Sequence, residues 1–410
     1  MENRVVITGM GAVTPIGNNV ETFWNNAKEG KCGIDFIKSV DNDLIDVKVA
    51  GEVKDFDPEP VISKKESKRL DRFEQFGLYA ADEAIKDSGL DLEKEDLDRI
   101  GVIVGSGIGG LGTIENDCNK LYTGISKRVS PFFVPMAITN LVAGNIAIKY
   151  GLRGHCTSVV TACATGTNSI GDAFRLIKHG YADVMVAGGS EAPITRIGIG
   201  GFNGMKALNN SNDPKTASTP FDKNRSGFVM GEGAGIIVME SLEHAEKRGA
   251  KILAEIVGYG STCDAYHITS PAPDGSGAVK AMKMAIDEAG IKEDEVSYIN
   301  AHGTSTALND KFETIAIKSV FGENTKVPVS STKSMTGHLL GAAGAIETIL
   351  CVKATEENYI PPTIGYETPD EGLDLDYVPN KGRDVEVNYA LTNSLGFGGH
   401  NATLLIKKWK

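Results

Sequence analysis

Short runs of apolar, mostly β-branched residues alternate along this chain with longer stretches whose apolar positions recur every three or four residues. That order builds layers of strand and helix. The short runs predict strands over residues 5–8, 100–104, 158–161, 184–187 and 235–239. They do so again over 252–258, 297–300, 327–330, 389–393 and 402–406. The longer stretches predict helices between them, for example over 73–88 and 277–289. The polar run at 209–227, NNSNDPKTASTPFDKNRSG, predicts a long surface loop rather than a linker.

The pattern repeats faintly. In the first half VIV runs into GSG and SVVT into ACATG; in the second YIN runs into AHG and VPVSS into TKSMTGH. Aligning ATGT, 164–167, with MTGH, 335–338, makes the two turns counterparts and sets Cys163 against Ser334. The repeat predicts two pseudo-equivalent halves, 1–250 and 251–410, whose strand ends converge on one central site.

Composition narrows the class. With 410 residues, 41% of them hydrophobic, and 48 glycines, the chain can bury a large core. No stretch approaches eighteen consecutive apolar residues and no basic leader precedes the first apolar run, so a cytoplasmic protein that does not span a membrane is expected. Six cysteines without a CxxC pair argue against a disulfide framework or a zinc ribbon. A formal net charge of -12 argues against nucleic acid as a partner.

Four segments carry the candidate chemistry. In TSVVTACATGTNS, Cys163 stands where a β-branched run gives way to small residues that can turn and start a helix. A thiol there feels unpaired backbone N–H groups and the positive end of the helix, which favours its thiolate. His302 lies in NAHGTST, Lys333 and His338 lie in STKSMTGH, and GFGGHN closes the set from Gly396 to Asn401. GSGIGG, from Gly105, fits a dinucleotide-binding fingerprint, but the acidic residue expected about twenty positions on is missing.

Together, and in this order, these motifs resemble those of the β-ketoacyl-[acyl carrier protein] synthases, chiefly the type II members, the condensing enzymes of fatty acid synthesis. The resemblance covers essentially the whole chain. It implies the α/β thiolase fold, five-layered as α-β-α-β-α, and elongation of an acyl chain by decarboxylative condensation with a malonyl group. It implies a Cys-His-His triad of Cys163, His302 and His338 with Lys333 beside it and Glu313 supporting. The backbone N–H groups of Cys163 and Phe397 would form the oxyanion hole. Ile108 would stand at the mouth of an acyl pocket walled by Phe202 and Phe397, and Thr304 and Thr306 would bind the pantetheine arm. No cofactor is implied beyond the phosphopantetheine that carries the substrates.

The expected partners are acyl carrier protein and a second copy of the chain. Lys65, Lys68 and Arg69, in the basic run SKKESKR, match the family's docking positions for the acidic carrier; Lys127, Arg128 and Lys206 would extend that site. No catalytic metal is implied; a structural monovalent cation would sit at Asn300, Glu347 and Asn393, with Thr392 where a serine is common. His400 departs from the motif, since many relatives carry threonine there. Two alternatives share much of the pattern: a stand-alone polyketide ketosynthase, with the same catalytic residues, and a non-catalytic chain-length-factor-like subunit, which should lack Cys163.

Overall fold

The structure, a computed structural model, describes residues 2–40 and 46–410. Ten strands form one hydrogen-bonded sheet: β1 Val5–Val13, β2 Ile100–Gly105, β3 Cys156–Thr157, β4 Val184–Glu191, β5 Gly233–Ser241, β6 Ala254–Cys263, β7 Tyr298–Asn300, β8 Val329–Ser330, β9 Tyr389–Gly396 and β10 His400–Lys408. Their spatial order is β8-β7-β9-β10-β6-β1-β5-β4-β2-β3. Read outward from the central β6–β1 pairing, each run of five follows one scheme: first, fifth, fourth, second, third. The pairing directions repeat as well. The third and fourth strands of each run lie parallel to the second, and the fifth is antiparallel to the fourth and the first.

Helices α1 Arg72–Ser88, α2 Leu141–Tyr150, α3 Thr165–Lys178, α4 Ser276–Ala289, α5 Ala307–Phe321 and α6 Ala343–Glu357 complete the layers. α1 and α2 cover one outer face and α4 and α5 the other, while α3 and α6 touch each other and strands of both runs. The sheet therefore wraps a central helix pair, which gives the five layers of the thiolase fold. Every residue of β1, β4 and β5 is buried, as strands covered on both faces must be.

One contact shows why the layers close so tightly. A Cβ at Gly9 or Gly11 of β1 would lie 2.2 Å from the Ala84 carbonyl oxygen or 1.9 Å from that of Ala80, in α1. A Cβ at Gly258 or Gly260 of β6 would lie 1.9 Å from Ala285 O or Ala281 O, in α4. The same bare-backbone docking of helix on strand thus occurs twice, at equivalent positions.

Three expectations change. The strand expected over 158–161 ends at Thr157; beyond it the Thr161 N–H donates to Thr165 Oγ1 at 2.9 Å and Thr161 Oγ1 to Asn168 Oδ1 at 2.8 Å, so side chains replace the ladder. The two turns are counterparts in a different register. A 3₁₀ turn at Ala162–Ala164 leads into α3 and another at Leu340–Ala342 leads into α6; their first residues, Ala162 and Leu340, have φ of +50° and +47°. Cys163 therefore answers to Gly341, not Ser334. Finally, 209–227 is not simply a surface loop. Its middle is buried: Phe221 stacks on Tyr377 with centroids 4.1 Å apart, and the Phe221 N–H donates to Asp310 at 2.9 Å.

Candidate active site

Cys163 occupies the middle of the strained turn before α3, at a cavity of about 360 Å³. A non-glycine residue at positive φ, as at Ala162, costs roughly 1–2 kcal/mol, a strain that the packing on both sides must hold. Phe202, His302, Thr304, Thr306, His338 and Phe397 line the same cavity, so the fold brings residues from four distant segments to one thiol. A larger open recess, about 780 Å³ around Glu83 and Asp87, contains none of these groups.

His302 lies just past β7, where its backbone N–H and that of Gly303 each donate to Glu313 of α5 at 2.8 Å. His338 is set by its own backbone N–H, which donates to Val229 O at 2.7 Å. The two imidazoles meet edge to face with centroids 5.2 Å apart, and Phe228 packs on His338 at 5.3 Å. Both Nδ1 atoms are buried without a hydrogen-bond partner among the described residues. Burial holds both rings well below the usual imidazole pKa; Lys333 lowers each further, and His338 adds to the effect on His302. Both are therefore neutral at pH 7.

The thiol behaves otherwise than its helix position suggests. Burial pushes Cys163 up to about 12, Lys333 pulls it down, Glu191 pushes it up, and the N–H groups of Phe397 and of Cys163 itself pull it down. Desolvation outweighs the helix end, so the resting group is a neutral thiol rather than the favoured thiolate expected from the motif. Those two N–H groups nonetheless converge on sulfur, where a developing oxyanion beside it would find them.

Lys333 and Glu313 are buried, so neither belongs to a surface ion pair. Lys333 Nζ bonds Glu347 of α6 at 2.5 Å, while Glu313 holds backbone. Burial raises both Glu313 and Glu347 to about 7, and Lys333 counters it at each. Ser218 Oγ, from the buried middle of 209–227, donates to the Lys333 carbonyl at 2.9 Å.

Ile108, in the loop after β2, packs in one apolar cluster with Cys163, Phe202 and Leu340. Phe202 and Phe397 have centroids 6.3 Å apart, and the Thr304 and Thr306 hydroxyls lie 2.9 Å apart. The turn carrying Phe397 is tied to a neighbouring loop by Gly398 N–H to Ile268 O at 2.8 Å, with His400 opening β10 beside it. Lys65, Lys68 and Arg69 lie outside the cavity, on the short helix Lys64–Ser67 and just beyond it. All three are exposed, and Arg69 sits over the Phe132 ring at 4.8 Å.

Residues 2–245 match the β-ketoacyl synthase N-terminal domain and residues 253–367 the C-terminal domain. The chain belongs to the β-ketoacyl synthase family. It is 54% identical over 408 residues to a Staphylococcus aureus protein named 3-oxoacyl-[acyl-carrier-protein] synthase 2, covering 99% of each chain. Identity is 51% to the protein of that name from Synechocystis, over 100% of this chain and 99% of the relative. Among solved structures, a type II PKS ketosynthase in complex with its acyl-carrier protein superposes with a TM-score of 0.93 at 36% identity, covering 100% of both chains. The ishigamide ketosynthase/chain length factor gives 0.94 at 34%, also over 100% of both.

Within this β-ketoacyl synthase, sequence reasoning missed the buried carboxylate of Glu191 and the roles of Glu347 as partner of Lys333 and of Ser218 beneath it. Only Glu191 carried a visible signal: an acidic residue closing the apolar, glycine-broken run VMVAGGSE.

Proposed function

We propose that this protein is a 3-oxoacyl-[acyl carrier protein] synthase that elongates fatty acyl chains by decarboxylative condensation with malonyl-[acyl carrier protein]. The observation that carries the reading is one thiol, two neutral imidazoles and two converging N–H groups around a single cavity. Cys163 Sγ attacks the acyl thioester; the C–S bond to the carrier breaks, and the proton ends on the departing carrier thiol. The Cys163 and Phe397 N–H groups stabilise the oxyanion of each tetrahedral intermediate. Malonyl thioester then loses carbon dioxide, and His302 and His338, as neutral donors, hydrogen-bond the enolate oxygen. The new carbanion attacks acyl-Cys163, the carbon–carbon bond forms as the C–S bond breaks, and the released thiolate takes a proton from solvent. Lys333 stays paired with Glu347 and shapes the field without transferring a proton.

Ile108, Phe202 and Phe397 wall the acyl pocket in this reading, Thr304 and Thr306 hold the pantetheine arm, and Glu313 fixes the His302 turn. The carrier docks at Lys65, Lys68 and Arg69. The enzyme works in the cytoplasm as a homodimer built from halves 1–250 and 251–410. The repeated strand order supports those halves; a segment 1–250 expressed alone that folds independently of the rest would argue against so interlocked a pair. The sheet ends at β3, and exposed Tyr122, Ile125, Val134 and Val160 support the dimer. Sedimentation as a monomer at micromolar concentration would remove it.

A structural monovalent cation fits as well. Asn300 Oδ1, Glu347 Oε2 and Thr392 Oγ1 are buried without partners among the described residues, whereas the Asn393 side-chain oxygen already accepts from Thr403. Such an ion would offset the second of two buried carboxylates that share Lys333. Equal thermal stability in potassium and in tetramethylammonium would remove the ion.

The test of the function is intact mass after mixing the enzyme with acyl-carrier thioesters of graded length, followed by peptide mapping. A stable acyl adduct on Cys163 is expected. Cys163→Ala should give neither adduct nor condensation, while Cys163→Gln, which mimics the acylated state, should keep decarboxylating malonyl-carrier. Condensation by the alanine variant would falsify the mechanism.

A further inference from the structure

Glu191 ends β4 fully buried, and no step above uses it. Its Oε1 accepts from Ser106 Oγ at 2.6 Å and Ile108 N at 3.1 Å; its Oε2 accepts from Gly107 N at 2.7 Å and Gly341 N at 2.9 Å. Ser106 Oγ in turn accepts from Gly109 N at 2.9 Å, which leaves its own proton for the carboxylate. Burial raises Glu191 above the usual carboxylate range, and these four donors counter that rise. The cradle admits nothing larger. A Cβ at Gly107 would stand 2.8 Å from Oε2, and one at Gly341 2.6 Å.

The repeated topology relates this carboxylate to the turn that carries Cys163. β4 and β9 are equivalent strands of eight residues, so Glu191 answers to Gly396 as Gly341 answers to Cys163. At the first turn the strand end is bare: a Cβ on Gly396 would crowd the backbone of Cys163 and Ala164, and the Cys163 N–H points to sulfur. At the second turn the strand end carries a carboxylate that captures the equivalent N–H, that of Gly341. The captured turn belongs to the second run of strands, whereas the Ser106–Gly109 loop belongs to the first. Glu191 thus ties together two backbone segments that each present a side chain to Cys163, Ile108 from one and Leu340 from the other, in the same apolar cluster.

We propose that Glu191 is a positioning residue for acyl-chain selection: its carboxylate holds Ile108 and Leu340 at fixed places beside Cys163, and the length of acyl group accepted depends on that hold. The proposal rests on the acylation of Cys163 argued above.

The test measures kcat/KM for condensation with a short and a long acyl-carrier substrate. Glu191→Gln keeps the shape but offers an NH2 where Oε2 accepts two N–H groups. The long-to-short ratio should move about fivefold or more, as leaving buried N–H donors without an acceptor allows. Ser106→Ala, which keeps the carboxyl group and removes one of its donors, should move the ratio in the same direction by less. A structural role alone would lower both substrates together; a ratio within about twofold of wild type in a folded Glu191→Gln enzyme overturns the proposal. If that variant does not fold, Ser106→Ala decides by the same ratio. Absence of an acyl-Cys163 adduct in the wild type would instead count against the proposed function.

Discussion

At Cys163 two influences of opposite sign meet, and their sizes decide the chemistry. A helix end contributes at most about 2 kcal/mol even when partly buried, while taking a thiolate out of water costs more and lifts this thiol to about 12. A raised thiol pKa means that the neutral form dominates throughout the physiological range and the thiolate fraction climbs as pH rises. Alkylation of Cys163 by iodoacetamide should therefore accelerate about tenfold per unit between pH 7 and 10 without levelling near 8.5, the pKa of a free cysteine. A plateau near pH 8 would show a solvated thiol. The placement of Cys163 on a turn before a helix was legible in the sequence because a strand-to-turn-to-helix transition is a local signal. Its ionisation was not, because burial is a property of the whole packed site. The same division runs through the site: His302, His338 and Phe397 each stand in a local motif. The Lys333–Glu347 pair joins residues fourteen apart on two helical segments, and nothing in sequence chose Glu347 over Glu313.

Among the elements, the strands that are short and flanked by turns were read nearly where they lie, and α1 and α4 differ from expectation by one residue at the start. Strands broken by glycine were read short, as β1, expected over 5–8, runs Val5–Val13, and β4, expected over 184–187, runs Val184–Glu191; other misreadings occur where side chains take over the work of backbone pairing, as at 158–161, or where one aromatic residue in a polar run finds a stacking partner, as Phe221 does on Tyr377. The duplication was faint in sequence because it lies in backbone geometry. Its clearest trace, TGMG in β1 and VGYG in β6, looks like ordinary small-residue noise until α1 and α4 are seen to press their carbonyls onto those glycines. Gly260→Ala places a methyl 1.9 Å from Ala281 O, which α4 must retreat to accept. A cost of roughly 1–3 kcal/mol is expected, read as a thermal midpoint about 1–4 °C lower in a chain of this length. Gly11→Ala should behave alike because Ala80 O is equally close. A midpoint unchanged in both would mean that the helices are free to shift.

For the whole molecule the question is how a chain of net charge -12 would capture the acidic carrier proposed as its partner. Long-range repulsion acts against encounter, so the local potential must favour it, and that potential is steepest at low salt. Lys65 and Lys68 are exposed and have no ion-pair partner among the described residues, so no internal bond competes with a carrier's carboxylates. Arg69 over Phe132 gives the patch one orientation. Replacing Lys65, Lys68 and Arg69 together with glutamate changes the local charge by six and should raise the apparent KM for acyl-carrier substrate at least about tenfold at low salt. The gap should narrow as ionic strength rises and the Debye length falls below about 10 Å. The KM for a small acyl thioester, which reaches Cys163 without docking, should stay within twofold, and so should the thermal midpoint, because no buried contact is broken. If both substrates weaken equally, the basic patch steadies the fold instead of steering the carrier, and docking must be sought elsewhere around the cavity mouth, beginning with Lys206, which lines it.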